Sequence, residues 1–420
     1  MNKKIVFCFP CKLRGGVSNQ FLRMATYLQS VGHDVSLVDY RDGVMGSESE
    51  ALGLSLLPYS DKESVDIPGD SLLVFQSMNP WTIFKNLKVP EDVMMFFWTC
   101  HPDNFTLSVP GLRALFVHPR YGKFLYKFAF PVRYRQMRKF VNALDAKGSL
   151  AFIDAPCRFG VEQLFDLKFR DDYIPVPISN VVSSSLAEDH GQSLRVNEKF
   201  CQINGDGKEK IIMGWVGRIA DFKYPILKHT IGRLSTLLSL LDLDVHFHII
   251  GDGYFLQDLK AYTAQFKNIE FTFHGELDQS GVKKALSNDM RLVFAMGTSA
   301  LEAASNGVPT VLLNFSFDEI AFHKYEWLHL QQGFSVGAKI DGKKRMEDDG
   351  LEAILHDFLE NEEQLKVLSS DYVVRNHAVA SVCQRFLNKA ASSRFLISEL
   401  LELRISKPPI AYRLYKNLQS

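Results

Sequence analysis

The sequence has no apolar run long enough to cross a bilayer. The longest, Val93 to Cys100, falls short of the roughly 20 residues that a spanning helix takes. Met1 to Phe7 resembles the start of a signal peptide for a few residues. It then meets Pro10, Lys12 and Arg14, where a secretory segment stays apolar, so it reads as a first strand. Net charge is absent too. The 48 basic residues balance 48 acidic ones, so bulk charge gives no argument for a nucleic-acid partner. Cysteine is sparse: Cys8, Cys11, Cys100, Cys157, Cys201 and Cys383 are scattered along the chain, which suits a reducing compartment. Cys8-Phe9-Pro10-Cys11 has the spacing of a thiol redox motif, or of two small residues closing a buried strand. No second pair completes a zinc site. No Asp-x-Asp metal motif stands at a strand end. Arg14-Gly15-Gly16-Val17-Ser18-Asn19 lacks the G-x-G-x-x-G fingerprint of a dehydrogenase.

What is present is ample apolar material. The chain has 420 residues, 46% apolar and 23% charged, which is ordinary for a soluble globular protein of two domains. Apolar runs alternate with helical spacing. Strands are expected at Lys4–Phe9, Val35–Val38, Ser71–Gln76, Val93–Trp98 and Ser149–Ile153, with helices over Asn19–Val31 and about Arg158–Phe165. A polar stretch from about Val181 to Lys210, with Ser183-Ser184-Ser185, reads as a linker. A second series follows: strands at Ile211–Val216, Val245–Ile250, Ile269–Phe273, Leu292–Ala295 and Thr310–Leu313, and helices at Ile226–Leu241, Leu256–Phe266 and Gln279–Leu286. Residues from Leu351 to about Leu403 are mainly helical. Alternation of this kind predicts parallel sheets with right-handed crossovers. The expected layout is an α/β domain over 1–182, a linker over 183–210, a second α/β domain over 211–387, and terminal helices over 388–420 returning to the first. Ligands of such sheets sit beyond the carboxyl ends of the strands.

The densest chemistry lies at Gly297-Thr298-Ser299-Ala300-Leu301-Glu302, a strand end, a tight loop and a helix start. Free N–H groups at a helix start suit a phosphate. A glutamate one turn in can accept two hydrogen bonds from a ribose diol. Ser299-x-x-Glu302 also has the form of a capping box, which would leave Glu302 a purely structural task. Arg218 and Lys223, after the expected strand Ile211–Val216, can neutralise a diphosphate or stand as solvated surface cations. His101, after the strand Val93–Trp98, suits a neutral imidazole bonding a sugar hydroxyl or phosphate, or a satisfied polar residue at a strand end. His118 is its rival. Gly15 and Gly16 let backbone N–H groups approach a phosphate, or simply make a turn. Asp318-Glu319 either contributes to the site or is a polar loop or helix start.

Taken together these motifs resemble the GT-B glycosyltransferases, and within them the large retaining family four. The resemblance rests on Gly15-Gly16-Val17, Gly32-His33-Asp34-Val35, Thr99-Cys100-His101, Gly217-Arg218 with Lys223, Gly251-Asp252-Gly253, and Glu302-Ala303 followed by Gly307-Val308-Pro309. It implies two Rossmann-like domains facing across a cleft. It implies a nucleoside diphosphate sugar as co-substrate, with no cofactor and no metal. Donor binding falls to Gly15, Gly16, Gly217, Gly251, Gly253, Gly275, Gly297, Thr298, Ser299 and Glu302, and catalysis to His101, Arg218 and Lys223. It also implies retention by front-face displacement, in which the departing phosphate oxygen helps deprotonate the acceptor. One position departs from the family. Its members often carry a glutamate eight positions before the one matched by Glu302, and Phe294 stands there instead.

From Asn104 to Leu144 there is no Asp or Glu, while eight cations between Arg113 and Lys139 interleave with aromatics such as Tyr121, Phe124 and Phe128. A segment of this kind over 113–140 lies on an anionic membrane surface, or forms a solvated basic helix with a buried aromatic face. Lys407 to Lys416 repeats the character on a smaller scale. The expectation is a cytoplasmic enzyme, peripheral on the membrane, that extends a glycan or lipid-linked glycan in cell-surface polysaccharide synthesis. The rivals are a nucleotide-sugar epimerase and a non-catalytic glycan-binding module.

Overall fold

The computed structural model describes residues 3–12, 15–76, 86–107, 113–116, 121–179, 202–203, 209–241, 243–288, 290–340 and 348–408. Arg14, His118, Arg120, Ser183-Ser184-Ser185 and the tail from 409 lie outside them, and the side chain of Arg113 is likewise not described. The chain forms two units, Met1–Ser179 with Val379–Ser420, and Asn180–Ala378.

The first unit holds strands β1 (Lys4–Cys8), β2 (Val35–Asp39), β3 (Ser55–Pro58), β4 (Val65–Asp66), β5 (Ser71–Gln76), β6 (Leu87–Lys88), β7 (Met94–Thr99) and β8 (Leu150–Phe152). The main sheet has the order β3-β2-β1-β5-β7-β8, and every pairing is parallel. Such strands are covered on both faces, which is why β1, β5 and β7 read as near-continuous apolar runs. Helix α1 (Gly16–Ser30) buries Phe21, Leu22, Met24, Ala25 and Leu28 against the sheet, the spacing of one helical face. Helices α2 (Val44–Ser49), α3 (Arg113–Phe116), α4 (Gly122–Ala129), α5 (Pro131–Ala146) and α6 (Ala155–Phe165) follow.

The second unit holds β9 (Gln202–Ile203), β10 (Glu209–Val216), β11 (Asp244–Ile250), β12 (Ile269–Gly275), β13 (Leu292–Ala295), β14 (Thr310–Leu312) and β15 (Glu326–Trp327). The order is β12-β11-β10-β13-β14-β15, parallel up to β14. Among the described strands of this sheet, β15, at one edge, and β9, beside β10, run antiparallel. The helices are α7 (Tyr224–Leu241), α8 (Leu256–Thr263), α9 (Gln279–Asn288), α10 (Thr298–Ser305) and α11 (Leu351–His377). One core gathers Met213, Trp215, Phe247, Phe294 and Leu355.

Helices α12 (Val379–Ala391) and α13 (Ile397–Glu402) return to the first unit. Val382, Cys383 and Phe386 of α12 enter its core, where the Phe386 ring lies 5.7 Å from that of Phe7. The return begins at Val379, whose N–H donates to Ile178 O at 3.1 Å, nine residues before the expected 388. The expected linker over 183–210 gives two short pieces to the second sheet, because β9 pairs with Glu209 and Lys210. Strand β3 has no counterpart in the sequence reading: Ser-Leu-Leu-Pro is a short edge strand with little apolar signal.

Strand β11 places His246 and His248 on one face, and β12 adds His274, whose Nε2 lies 3.3 Å from His248 Nδ1. His248 is buried, and its Nε2 has no hydrogen-bond partner among the described residues. Burial, then His246 and His274, pushes its pKa down to about 4. The unfolded chain therefore binds the extra proton between the ordinary value and about 4. Stability from this site is complete above the ordinary value and falls as pH drops through that window, by up to about 3 kcal/mol. Urea midpoints at neutral pH and near pH 4 test this. His248→Gln is expected to flatten the acid loss, and an unchanged slope in the variant would contradict it.

Candidate functional site

Four glycine-bearing loops leave the carboxyl ends of β12, β11, β10 and β13, which are neighbours in that order. They form one rim of the second unit. After β10, Gly217 turns with φ +148° and its N–H donates to Ile250 O at 2.9 Å. After β11, Gly251 has φ +136° and its N–H donates to Gly275 O at 2.7 Å. A Cβ on Gly251 would lie 2.2 Å from Gly217 O, and one on Gly253 2.5 Å from Ile219 O. The loops after β10 and β11 therefore pass backbone against backbone, and glycine is the residue that permits it.

This stack fixes the turn that carries the cations. Trp215 is fully buried, and its indole N–H donates to Gly217 O at 2.9 Å. Arg218 is exposed. Lys223 is half-buried, with Nζ 5.8 Å from the Trp215 ring and 5.9 Å from that of Phe222. No carboxylate pairs with Lys223 among the described residues. Burial, then the Arg218 charge, pulls its pKa down to about 8. The ammonium is still largely charged at neutral pH and lacks a counter-ion, so an anion placed there restores its proton affinity. Ser316 N–H donates to Phe222 O at 3.1 Å, tying the loop after β14 to the same turn.

On the other side of β10, only Met296 and Gly297 separate β13 from α10. Gly297, with φ +66°, is the N-cap, and no side chain caps the helix. The first amides of α10 thus have no side-chain cap and lie at the positive end of the helix dipole. Ser299 is inside the helix rather than at its cap, so the capping-box reading of Ser299 and Glu302 does not hold. Thr298, Ser299 and Glu302 are half-buried. Phe294 is fully buried within β13, its ring 6.3 Å from Phe247. The position at which family four often has its first glutamate is core here.

Gly15, Gly16 and His101 belong to the first unit, also at the carboxyl ends of strands. Gly15 is the N-cap of α1, again without a side-chain cap. Nothing lies within 4 Å of where a Cβ of Gly16 would sit, so the packing of the chain does not demand a glycine there. His101 follows β7 and is about half exposed. Its Nδ1 accepts the Asp103 N–H at 3.2 Å, which assigns the ring proton to Nε2. Gln20 of α1 donates to Cys100 Sγ at 3.8 Å, linking the start of α1 to the His101 loop.

Asp39 escaped the sequence reading. It ends β2, fully buried, and accepts N–H groups from Cys11 at 2.7 Å, Tyr40 at 2.8 Å, Met45 at 2.9 Å and Gly46 at 3.3 Å. It anchors the chain that leads from β1 toward Gly15. An acidic residue closing an apolar strand was its only signal. Cys8 is buried, and burial and then Asp39 push its thiol far above the ordinary range. Burial of this kind disfavours a thiolate at Cys8, which fits a residue that closes a strand.

No protein-family model matches the sequence, and no curated protein resembles it closely enough to count as a relative. Solved structures do resemble the fold. The Anabaena HepE protein, crystallised with UDP and glucose, has 12% identity over 93% of this chain and all of its own, with a TM-score of 0.52. A glycosyltransferase from Rickettsia africae has 12% identity over 93% of this chain and 98% of its own, with a TM-score of 0.54. The lipopolysaccharide outer core galactosyltransferase WaaB has 11% identity over 93% of this chain and all of its own, with a TM-score of 0.52. At this identity the likeness establishes architecture. The chain has the GT-B fold found in glycosyltransferases, two Rossmann-like units of α/β type.

Gly251→Ala tests the loop stack. The new Cβ meets Gly217 O and carries a positive φ, at a cost of roughly 2–4 kcal/mol. Chemical denaturation should show that loss. A variant as stable as the parent would mean that the loops do not pack as described.

Proposed function

We propose that the protein is a glycosyltransferase that uses a nucleoside diphosphate sugar. The observation that carries this reading is the half-buried, unpaired Lys223 on a rim that also presents Arg218, the uncapped start of α10 and Glu302. Cleaving a sugar from a nucleoside diphosphate builds charge on the leaving phosphate. Fixed cations and helix amides stabilise such charge where they stand. In this reading Arg218 and Lys223 hold the diphosphate. The amides of Thr298 and Ser299 take its oxygens, and Glu302 accepts the ribose hydroxyls. Gly217, Gly251, Gly253, Gly275 and Gly297 let the backbone approach the donor. The first unit reads the acceptor, with His101 donating from Nε2 to a sugar hydroxyl or phosphate, and Gly15 and Gly16 offering backbone N–H groups. These groups supply charge stabilisation without a metal, and a retaining front-face displacement needs no protein nucleophile. HepE was crystallised with UDP, which makes UDP the first base to try.

The acceptor is proposed to be a glycan or lipid-linked glycan of the cell surface, met at the cytoplasmic face of a membrane. No helix among the described residues is long and apolar enough to cross one. Helix α4 supports peripheral contact. Phe124 and Phe128 are 58% and 63% exposed with ring centroids 4.2 Å apart, and Tyr121 and Val132 are exposed beside them. Lys127, Arg135 and Lys139 are exposed cations on α4 and α5. The other described cations of this segment have intramolecular partners: Lys123 pairs with Asp166, Arg133 donates to Ile405 O at 3.2 Å, and Arg138 donates to Phe165 O at 2.8 Å.

A thermal-shift panel of UDP, GDP, TDP, CMP and ADP tests the donor site. One nucleoside diphosphate should stabilise the protein selectively, and Arg218→Ala and Glu302→Ala should remove the effect. An equal response in both variants would overturn the site. In a second experiment, vesicles rich in phosphatidylglycerol should retain the protein at low salt. The double variant Phe124→Ser with Phe128→Ser should weaken retention by about tenfold or more. Retention unchanged in the double variant would remove the membrane contact.

A further inference from the structure

The first unit contains a pocket that the donor and acceptor reading does not use. Its volume is about 950 Å³. It lies beside Gly148 and Leu150, at the amino end of β8, whereas His101 and Gly15 stand at the carboxyl ends of β7 and β1. Three remote segments build it: the end of α5 with the start of β8, the stretch Phe169 to Tyr173, and the returning chain from Arg385 to Arg394. Gly148 sets one wall. It turns with φ +64°, and a Cβ there would meet Ser392 Oγ at 2.8 Å and Ser392 O at 2.9 Å.

The lining is cationic. Lys147, Arg170, Arg385, Lys389 and Arg394 stand against Asp145 and Asp172, five positive charges to two negative. Lys389 pairs with Asp172 at 2.5 Å, and Lys147 pairs with Glu399 at 2.9 Å outside the lining. Arg394 donates to Ala391 O and Ser393 O. Arg170 is exposed; it interacts electrostatically with Asp145 across the pocket but forms no ion pair within 4 Å among the described residues. Phe169, half-buried, gives the pocket its aromatic side, backed by the buried Phe152 ring 5.1 Å away, while Tyr173 is itself buried. Guanidinium groups bind carboxylate and phosphate in bidentate fashion, and aromatic walls accept the apolar face of a pyranose ring. The volume matches a ligand of two or three sugar units.

We propose that this pocket binds an anionic saccharide, held by its carboxylate or phosphate at Arg170 and by a sugar face at the aromatic side. It is a binding site apart from the donor rim. In an enzyme that extends a charged glycan, it would grip a part of the polymer distant from the growing end. That last role rests on the transferase reading, but the binding does not.

The experiment is calorimetric titration of the full chain with trigalacturonate, glucose 6-phosphate and neutral maltotriose. At least one anionic sugar should bind and maltotriose should not. Arg170→Glu should weaken the binding by about tenfold or more, and so should Asn388→Trp, which fills the pocket from α12. Both variants should keep the parent's unfolding temperature and its thermal shift with nucleotide. Preference for trigalacturonate or for glucose 6-phosphate identifies the anion as carboxylate or phosphate. Absence of binding by both anionic sugars, or equal binding in the two variants, would overturn the proposal. Because nucleotide response is read on the same samples, failure here is distinguishable from failure of the donor site.

Discussion

A lysine set against a buried tryptophan, with no carboxylate paired to it among the described residues, is the constraint around which the second unit is arranged. Burying an unpaired ammonium is unfavourable, and a fold keeps one where the surroundings leave it no alternative. Lys223 is placed there by the turn after β10. That turn is held from one side by the Gly251 and Gly253 loops and from another by the loop after β14. The hydrogen bonds that join these loops to one another run between backbone groups, so the arrangement depends on glycine conformation more than on side-chain identity. The same carboxyl-end rim presents the bare start of α10, a second source of positive potential. Both features leave electrostatic demand unmet among the described residues, which is what the proposed diphosphate would meet.

Much of this was legible in the sequence. The strands of the parallel core are short apolar runs, and the loops after them carry Gly217, Gly251, Gly275 and Gly297, residues that take positive φ where other side chains rarely do. Gly297 also corrects an expectation. Ser299 and Glu302 have capping-box spacing, but the helix cap stands two residues before Ser299, so the hydroxyl is never at the cap. The strand Leu292–Ala295 and the tight loop after it are as expected, and with them the helix starts at Thr298, two residues too early for Ser299 to be its cap. Phe294 illustrates the converse. Its mismatch to family four was visible, while its complete burial in the core of the second unit was not.

The first unit shows where sequence reading loses its grip. Asp39 looks like any acidic residue after a strand, yet four backbone N–H groups converge on it from segments that only the fold brings together. The basic segment over 113–140 reads either as a membrane-lying surface or as a solvated basic helix with a buried aromatic face. In the structure Lys123, Arg133 and Arg138 bind other parts of the unit, while Phe124 and Phe128, ordinary core candidates by type, face solvent. The pocket beside Gly148 was invisible for the same reason, since the whole second unit lies in the chain between Phe169 and the α12 wall. Charge and aromatic content are composition, but which groups remain available is a property of packing.

The central claim is that Lys223 is an unpaired cation awaiting a diphosphate. The most direct measurement is the titration of its side chain by carbon-detected NMR, with and without UDP. In the free protein the midpoint should stand near pH 8. Saturating UDP should move it upward by one pH unit or more, each pH unit being worth about 1.4 kcal/mol of interaction with the ligand. A midpoint already at the ordinary lysine value in the free protein, or one that UDP leaves in place, would contradict the account.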